Sequence, residues 1–161
     1  MRVGLGYDVH RLQSGRKMML AGVSIPSEQG PIGHSDGDVV LHAISDSILG
    51  AAVLGDIGTM FPDTDAGLTG IASGKMLNTA MKQVRNLGWA VNNLDVNVII
   101  ERPRISPFIA AMRDTIAVAL GVDSSAVSVK AKTNEGLGEI GRGEAVACHA
   151  VVLLEATDQG M

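Results

Sequence analysis

The sequence predicts an α+β (α/β layered) fold, a mixed sheet of about four or five strands covered by about three helices. Three observations point to it. Stretches of period-two alternation interleave with stretches whose apolar residues recur at helical spacing. Glycine, proline, aspartate and asparagine gather between those stretches. The length, 161 residues, suits one domain spanning 1–161 with no internal repeat or linker.

The elements follow in order. Val3, Leu5, Tyr7 and Val9 alternate with Arg2, Gly4, Gly6, Asp8 and His10, a strand pattern. Gly15 marks a turn, and Lys17 to Val23 reads as a second strand. From Asp38 to Leu54 apolar residues dominate, which predicts a helix capped by Asp36. Residues 55 to 70 read as a loop. A helix then carries Met76, Leu77, Ala80, Met81, Val84 and Leu87 on one stripe, and Gly88 stops it. Val91 to Glu101 is a strand. Ser106 caps a helix with Pro107 at its first position and Gly121 at its end. Val127, Val129 and Ala131 alternate with Ser128, Lys130 and Lys132 in a further strand. A glycine-rich turn, Gly136 to Gly143, leads into the last strand, Glu144 to Glu155.

Composition narrows the function. A net charge of −4 argues against general nucleic-acid binding, and 2% aromatics leaves few platforms for stacking bases. No stretch approaches about 18 consecutive apolar residues, and the first residues lack the apolar region of a signal peptide, so a cytoplasmic protein with no membrane partner is expected. The single cysteine, Cys148, forms no internal disulfide and reads as a small buried hydrophobe in an apolar run.

Several short constellations carry chemistry. Asp8 and His10, two apart in a strand, point the same way, over the space left by Gly4 and Gly6. His42, on the first long helix, is the candidate for a third ligand. One carboxylate and two imidazoles with an open position suit a catalytic Zn²⁺. They equally suit a facial triad for non-haem iron, or a plain polar surface. Asp46 lies four residues after His42 and so shares its helix face, where it could accept the second ring N–H of a metal-bound His42 or simply pair with it in solvent. Residues His34-Ser35-Asp36-Gly37-Asp38 precede that helix, where free N–H groups favour anions or caps. Gly55 to Asp65 holds three carboxylates that can accept from sugar or polyol hydroxyls, or simply make an acidic surface loop. Lys132-Thr133-Asn134-Glu135-Gly136 follows a strand, with a lysine, a hydroxyl and backbone donors for a diphosphate, and a carboxylate for an accompanying divalent ion. Neither a Walker loop nor a dinucleotide fingerprint is present.

Taken together, these segments resemble a known family over essentially the whole chain. Gly4-x-Gly6-Tyr7-Asp8-Val9-His10-Arg11, His34-Ser35-Asp36-Gly37-Asp38-Val39-x-x-His42-Ala43, Gly55-Asp56-Ile57-Gly58 with Phe61-Pro62-Asp63-Thr64-Asp65, and Lys132-Thr133-x-Glu135 with Gly141-Arg142-x-Glu144 occur in this order. The series is similar to the 2-C-methyl-D-erythritol 2,4-cyclodiphosphate synthases of isoprenoid biosynthesis. The resemblance implies Asp8, His10 and His42 as zinc ligands, and His34, Ser35 and Thr133 as the residues that position phosphates and stabilise the transition state. It implies that Asp56, Ile57, Gly58, Phe61, Asp63 and Asp65 hold the methylerythritol phosphate. Ile100, Pro103, Arg104 and Ile105 would form the cytidine pocket, largely through backbone groups, completed by Lys132 to Glu135. Glu135 would hold Mg²⁺ or Mn²⁺ on the diphosphate, and Arg142 would bind substrate. A cytidine diphosphate-linked small molecule is the implied substrate, and a homotrimer around a central channel the implied assembly. One departure is Glu139, where the family often carries Phe; it puts an apolar channel ligand in question. The two cations would offset the negative net charge around a phosphate substrate.

Overall fold

The computed structural model describes residues 1–33, 35–62 and 71–157. Strand β1 (Arg2–Ser14) is followed by β2 (Met18–Leu20), β3 (Val23–Ile25) and β4 (Gln29–Pro31). Helix α1 (Val39–Ala52), the short α2 (Ile57–Met60) and α3 (Ser73–Asn86) lead to β5 (Trp89–Ile99). Helix α4 (Ile109–Leu120), β6 (Val127–Lys132), the short α5 (Gly138–Gly141) and β7 (Ala145–Ala156) complete the chain. The main sheet has the order β4-β1-β7-β5-β6, and β2 pairs with β3 in a small hairpin. Only β5 and β6 run parallel; the other pairs in the main sheet are antiparallel. The five-stranded mixed sheet with a helical layer is what the sequence predicts, but the described residues hold five helices where about three were expected, and a separate hairpin besides.

Both faces of β1 follow from its alternation. Gly4 and Gly6 look at α1, and a Cβ on Gly6 would lie 1.9 Å from the carbonyl oxygen of Ala43. A Cβ on Gly4 would meet the Ser47 carbonyl at the same distance. The glycines therefore do not leave open space, as their spacing suggested: they let the helix backbone sit directly on the strand. The same face continues through Val146, Cys148, Ala150, Val152 and Leu154 of β7 and Val96 and Val98 of β5, all buried under α1 and its neighbours. Burial pushes the Cys148 thiol pKa well up, which fits its reading as a small hydrophobe.

The opposite face carries no helix among the described residues. Val3 is 70% exposed, Leu5 68%, Tyr7 50% and Val9 45%, with Val151, 42% exposed, directly across from Leu5. The Tyr7 ring packs on its cross-strand neighbour His149 at 4.7 Å between centroids.

Several boundaries differ from the sequence reading. Asp38, not Asp36, caps α1: its buried carboxylate accepts from the backbone N–H groups of Val40 and Leu41 and of Ala21 and Gly22 in the β2–β3 turn. One side chain thus anchors the hairpin to the helix. Burial pushes its carboxyl up to about 6, and the N–H donors, which favour the charged form, oppose that. The segment expected as one strand from Lys17 is this hairpin, bent at Ala21 (φ 55°) and Gly22 (φ 74°). A 3₁₀ turn, Ser106–Phe108, precedes α4, and Ser106 accepts from Arg104 Nε at 3.1 Å instead of capping the helix. Part of the expected 55–70 loop is α2, capped by Asp56, whose Oδ1 accepts from Thr59 N at 2.7 Å.

The glycine contact yields a prediction. Gly6→Ala should cost about 2 kcal/mol, the scale of overpacking a tight contact, read as a lower urea midpoint. An unchanged midpoint would mean that β1 and α1 are not held this closely.

Candidate metal centre

Three side chains converge where β1 passes under α1. Asp8 and His10 lie on the helix-facing side of the strand, two residues apart and in line with Gly4 and Gly6. His42 hangs from the first turns of α1, with its position set by the strand–helix contact one turn further along. His10 Nε2 is 3.1 Å from His42 Nδ1, His42 Nδ1 is 3.0 Å from Asp8 Oδ2, and His10 Nε2 is 3.3 Å from the same oxygen. The two rings stand edge to face, 88° apart.

This triangle fits a metal. Tetrahedral zinc with ligands at about 2.0–2.1 Å sets neighbouring donor atoms roughly 3.3 Å apart. The donor set is also right: two imidazole nitrogens and one carboxylate oxygen aim at a common point. Two nitrogen lone pairs at 3.1 Å repel unless a cation or proton lies between them. Burial holds the His10 imidazole below its usual pKa, and the Asp8 carboxylate opposes the shift, so the neutral ligand form is favoured. Three protein donors would leave a bound zinc open to a further ligand.

The far side of His42 departs from expectation. Its Nε2 meets the Ser73 hydroxyl at 2.9 Å and the Ser35 hydroxyl at 3.1 Å. Asp46, expected to accept there, instead takes the Ile57 N–H at 2.8 Å and so ties α1 to α2. The i, i+4 spacing put Asp46 on the correct side of the helix, but α2 claims its carboxylate. Sequence reasoning missed Ser73. It lies 31 residues from His42 on a different helix, and no local spacing connects the two.

The other candidate residues fall into two groups. Ser35 sits beside the metal triad, and Asp56, Ile57 and Gly58 lie at α2, which Asp46 holds against α1. Phe61 closes α2, its N–H bonded to the Ile57 carbonyl. His34, Asp63 and Asp65 lie outside the described residues. The second group gathers at the ends of β5 and β6. Ile100 and Ile105 are buried, with Ile100 N–H bonded to the Lys132 carbonyl and the Ile105 carbonyl accepting from Phe108, while Pro103 and Arg104 line an open groove of about 410 Å³ with Ser27, Glu28, Gln29 and Arg102. Glu101 accepts the Asn134 N–H at 3.2 Å, and Thr133 donates to Glu135 at 3.0 Å. Glu135 takes a left-handed φ of 51° at the head of its loop, which leaves its carboxylate exposed. Arg142 is held by Glu144 through two contacts, at 2.8 and 3.2 Å, and by Glu139 at 3.5 Å.

The sheet register separates the two groups. Asp8 stands opposite Cys148, Cys148 opposite Val98, and Val98 opposite Ala131. Three strand spacings, roughly 14 Å, therefore lie between the metal triad and the strand that ends in Lys132.

Comparison with known proteins agrees with this geometry. The YgbB family model matches residues 1–155. A protein of Trichlorobacter lovleyi named 2-C-methyl-D-erythritol 2,4-cyclodiphosphate synthase is 53% identical over 154 residues, covering 96% of this chain and 98% of its own. A solved structure of 2C-methyl-D-erythritol-2,4-cyclodiphosphate synthase in its CDP-bound form superposes with a TM-score of 0.89 at 38% identity, covering 96% of this chain and 100% of that one. The bifunctional IspDF of Campylobacter jejuni superposes with a TM-score of 0.93 at 42% identity over 98% of this chain, which spans 42% of that longer protein. With the family model matched from end to end of the fold and half of all positions identical to a named synthase, this chain belongs to the YgbB family, the family of the 2-C-methyl-D-erythritol 2,4-cyclodiphosphate synthases.

Proposed function

We propose that this chain is a phosphorus–oxygen lyase that converts 4-diphosphocytidyl-2-C-methyl-D-erythritol 2-phosphate to 2-C-methyl-D-erythritol 2,4-cyclodiphosphate and CMP. The observation that carries the reading is the convergence of Asp8, His10 and His42 in a chain whose near-full-length relatives bear that synthase name. A related synthase with CDP bound supports a cytidine diphosphate-linked substrate.

In the reaction an oxygen of the 2-phosphate forms a bond to the β-phosphorus. The bond from that phosphorus to the oxygen bridging it to the α-phosphorus breaks, and CMP leaves with the bridging oxygen. Such transfers need alignment and charge stabilisation more than covalent help from the protein. Zinc held by Asp8, His10 and His42 would supply Lewis-acid stabilisation of phosphate charge. The hydroxyls of Ser35 and Thr133 are donors for phosphate oxygens, and His34 has that role by family resemblance. Lys132 brings positive charge, and Glu135 offers an exposed carboxylate of the kind that Mg²⁺ or Mn²⁺ on a diphosphate prefers. Asp56, Asp63 and Asp65, with Ile57, Gly58 and Phe61, would hold the polyol end. Backbone groups of Ile100 and Ile105, with Pro103 and Arg104, would hold the cytidine. Arg142, paired with Glu139 and Glu144 at the surface, would bind substrate by family resemblance.

A homotrimer is part of the proposal. Residues about 14 Å apart in one chain cannot both grip one diphosphate, whereas the second group of a neighbouring copy can approach the first. The uncovered apolar face of β1 supplies a surface that association would bury. No helix among the described residues is long and apolar enough to cross a membrane, and we take the cytoplasm as the site of action.

Two outcomes are expected. Purified protein should carry zinc in near-equal molar amount, and His42→Ala should lose most of it by elemental analysis; equal metal in both would remove His42 from the site. In ¹⁸O-labelled water, turnover should give CMP and the cyclic diphosphate in equal amounts, neither labelled. The 2-phosphate is tethered, and an oriented intramolecular nucleophile can act as if present at about 10⁵ M or more, so water should not compete. Enzyme-dependent label in either product would mean hydrolysis, not cyclisation.

A further inference from the structure

We propose that Ser73 and Asp36 are positioning residues that fix the tautomer and orientation of the His42 imidazole. The proposal rests on the metal reading of Asp8, His10 and His42 given above.

The argument is a count of protons. Ser73 opens α3 and is fully buried. Its hydroxyl lies within hydrogen-bond reach of Asp36 Oδ1, and the Asp36 carboxylate also accepts the backbone N–H of Ser73 at 3.3 Å. A carboxylate has no proton to give, so the Ser73 hydroxyl proton goes to Asp36. Ser73 Oγ then has only lone pairs left to offer His42 Nε2, 2.9 Å away, and must accept the ring N–H. With the proton on Nε2, Nδ1 presents its lone pair to the point shared with Asp8 Oδ2 and His10 Nε2.

A competing arrangement exists. The proton could sit on Nδ1 and be donated to Asp8, with Ser35 Oγ donating to Nε2 from 3.1 Å. That state blocks the metal position. Asp36, through Ser73, works against it by making the nearer hydroxyl an acceptor only. The relay runs from α1 to α3 to the loop before α1, so it also fixes the angle at which the ring enters the site. Outer partners of this kind tune metal affinity without touching the metal.

The test is a double-mutant cycle on zinc affinity, measured by competition with a chromophoric chelator. Ser73→Ala, Asp36→Asn and the double variant are compared with wild type, and circular dichroism confirms that each is folded. Each single change should weaken zinc binding about 10–100-fold. Once Ser73 is Ala, adding Asp36→Asn should change affinity far less than it does in the wild type, because Asp36 acts mainly through Ser73. Single variants within about twofold of wild type, a loss confined to Ser73→Ala, or losses that multiply in the double variant would each overturn the relay. If Ser73→Ala does not fold, Asp36→Asn alone decides by the same criterion. His42→Ala is the reference: wild-type zinc affinity there sinks the metal site itself, whereas loss of zinc in His42→Ala with none in the relay variants sinks only the relay.

Discussion

The contact between β1 and α1 governs everything that follows in this molecule. With no Cβ at Gly4 or Gly6, helix backbone carbonyls rest directly on the strand. That approach carries His42 down to the plane of Asp8 and His10, and the three donor atoms close to 3.0–3.3 Å of one another. A larger residue at either glycine would lift the helix and open the triangle. Asp38 adds a second restraint, since the carboxylate that caps α1 also binds the β2–β3 turn and fixes where the helix starts. The geometry of the site thus depends on backbone packing.

Much of this was legible in the sequence, for a physical reason. Period-two alternation in β1 put Asp8 and His10 on one face, and an apolar run with few breakers marked α1, so the donor types and their elements could be named. The packing partners could not. Gly4 and Gly6 read as empty space because alternation says which way a residue faces and nothing about what lies opposite. Asp36 and Asp38 are both able to cap, and only the hairpin contact shows that Asp38 does so while Asp36 turns to Ser73. Asp46 shares a face with His42, yet the Ile57 N–H reaches its carboxylate first. The strands β2, β3 and β4 have three residues each, too short for a periodic signal.

Charge is arranged locally. The chain is acidic overall at −4, and the residues around the triad include Asp8, Asp36 and Asp46. A phosphate would be repelled by such a site without cations. With two imidazoles and one carboxylate aimed at a single point, the acidic surroundings would favour a cation held there. The groups suited to the far end of a nucleotide, Arg104, Lys132, Thr133 and Glu135, sit three strands away on the same chain. On the proposed reading, one copy carries two halves of a site three strands apart, beside a β1 face of exposed Val3, Leu5, Tyr7 and Val9. The proposed trimer would resolve both features at once, because each copy could lend one half to the next.

The claim that each working site joins the metal half of one chain to the loop half of another is tested most directly by complementation. His42→Ala removes the first half and Glu135→Gln the second, and each variant alone should be nearly inactive. Co-expressed, they should form mixed assemblies in which about a quarter of the junctions carry both intact halves, with a matching recovery of CMP release. Activity in the mixture no higher than in either variant alone would place the whole site within one chain and contradict the account.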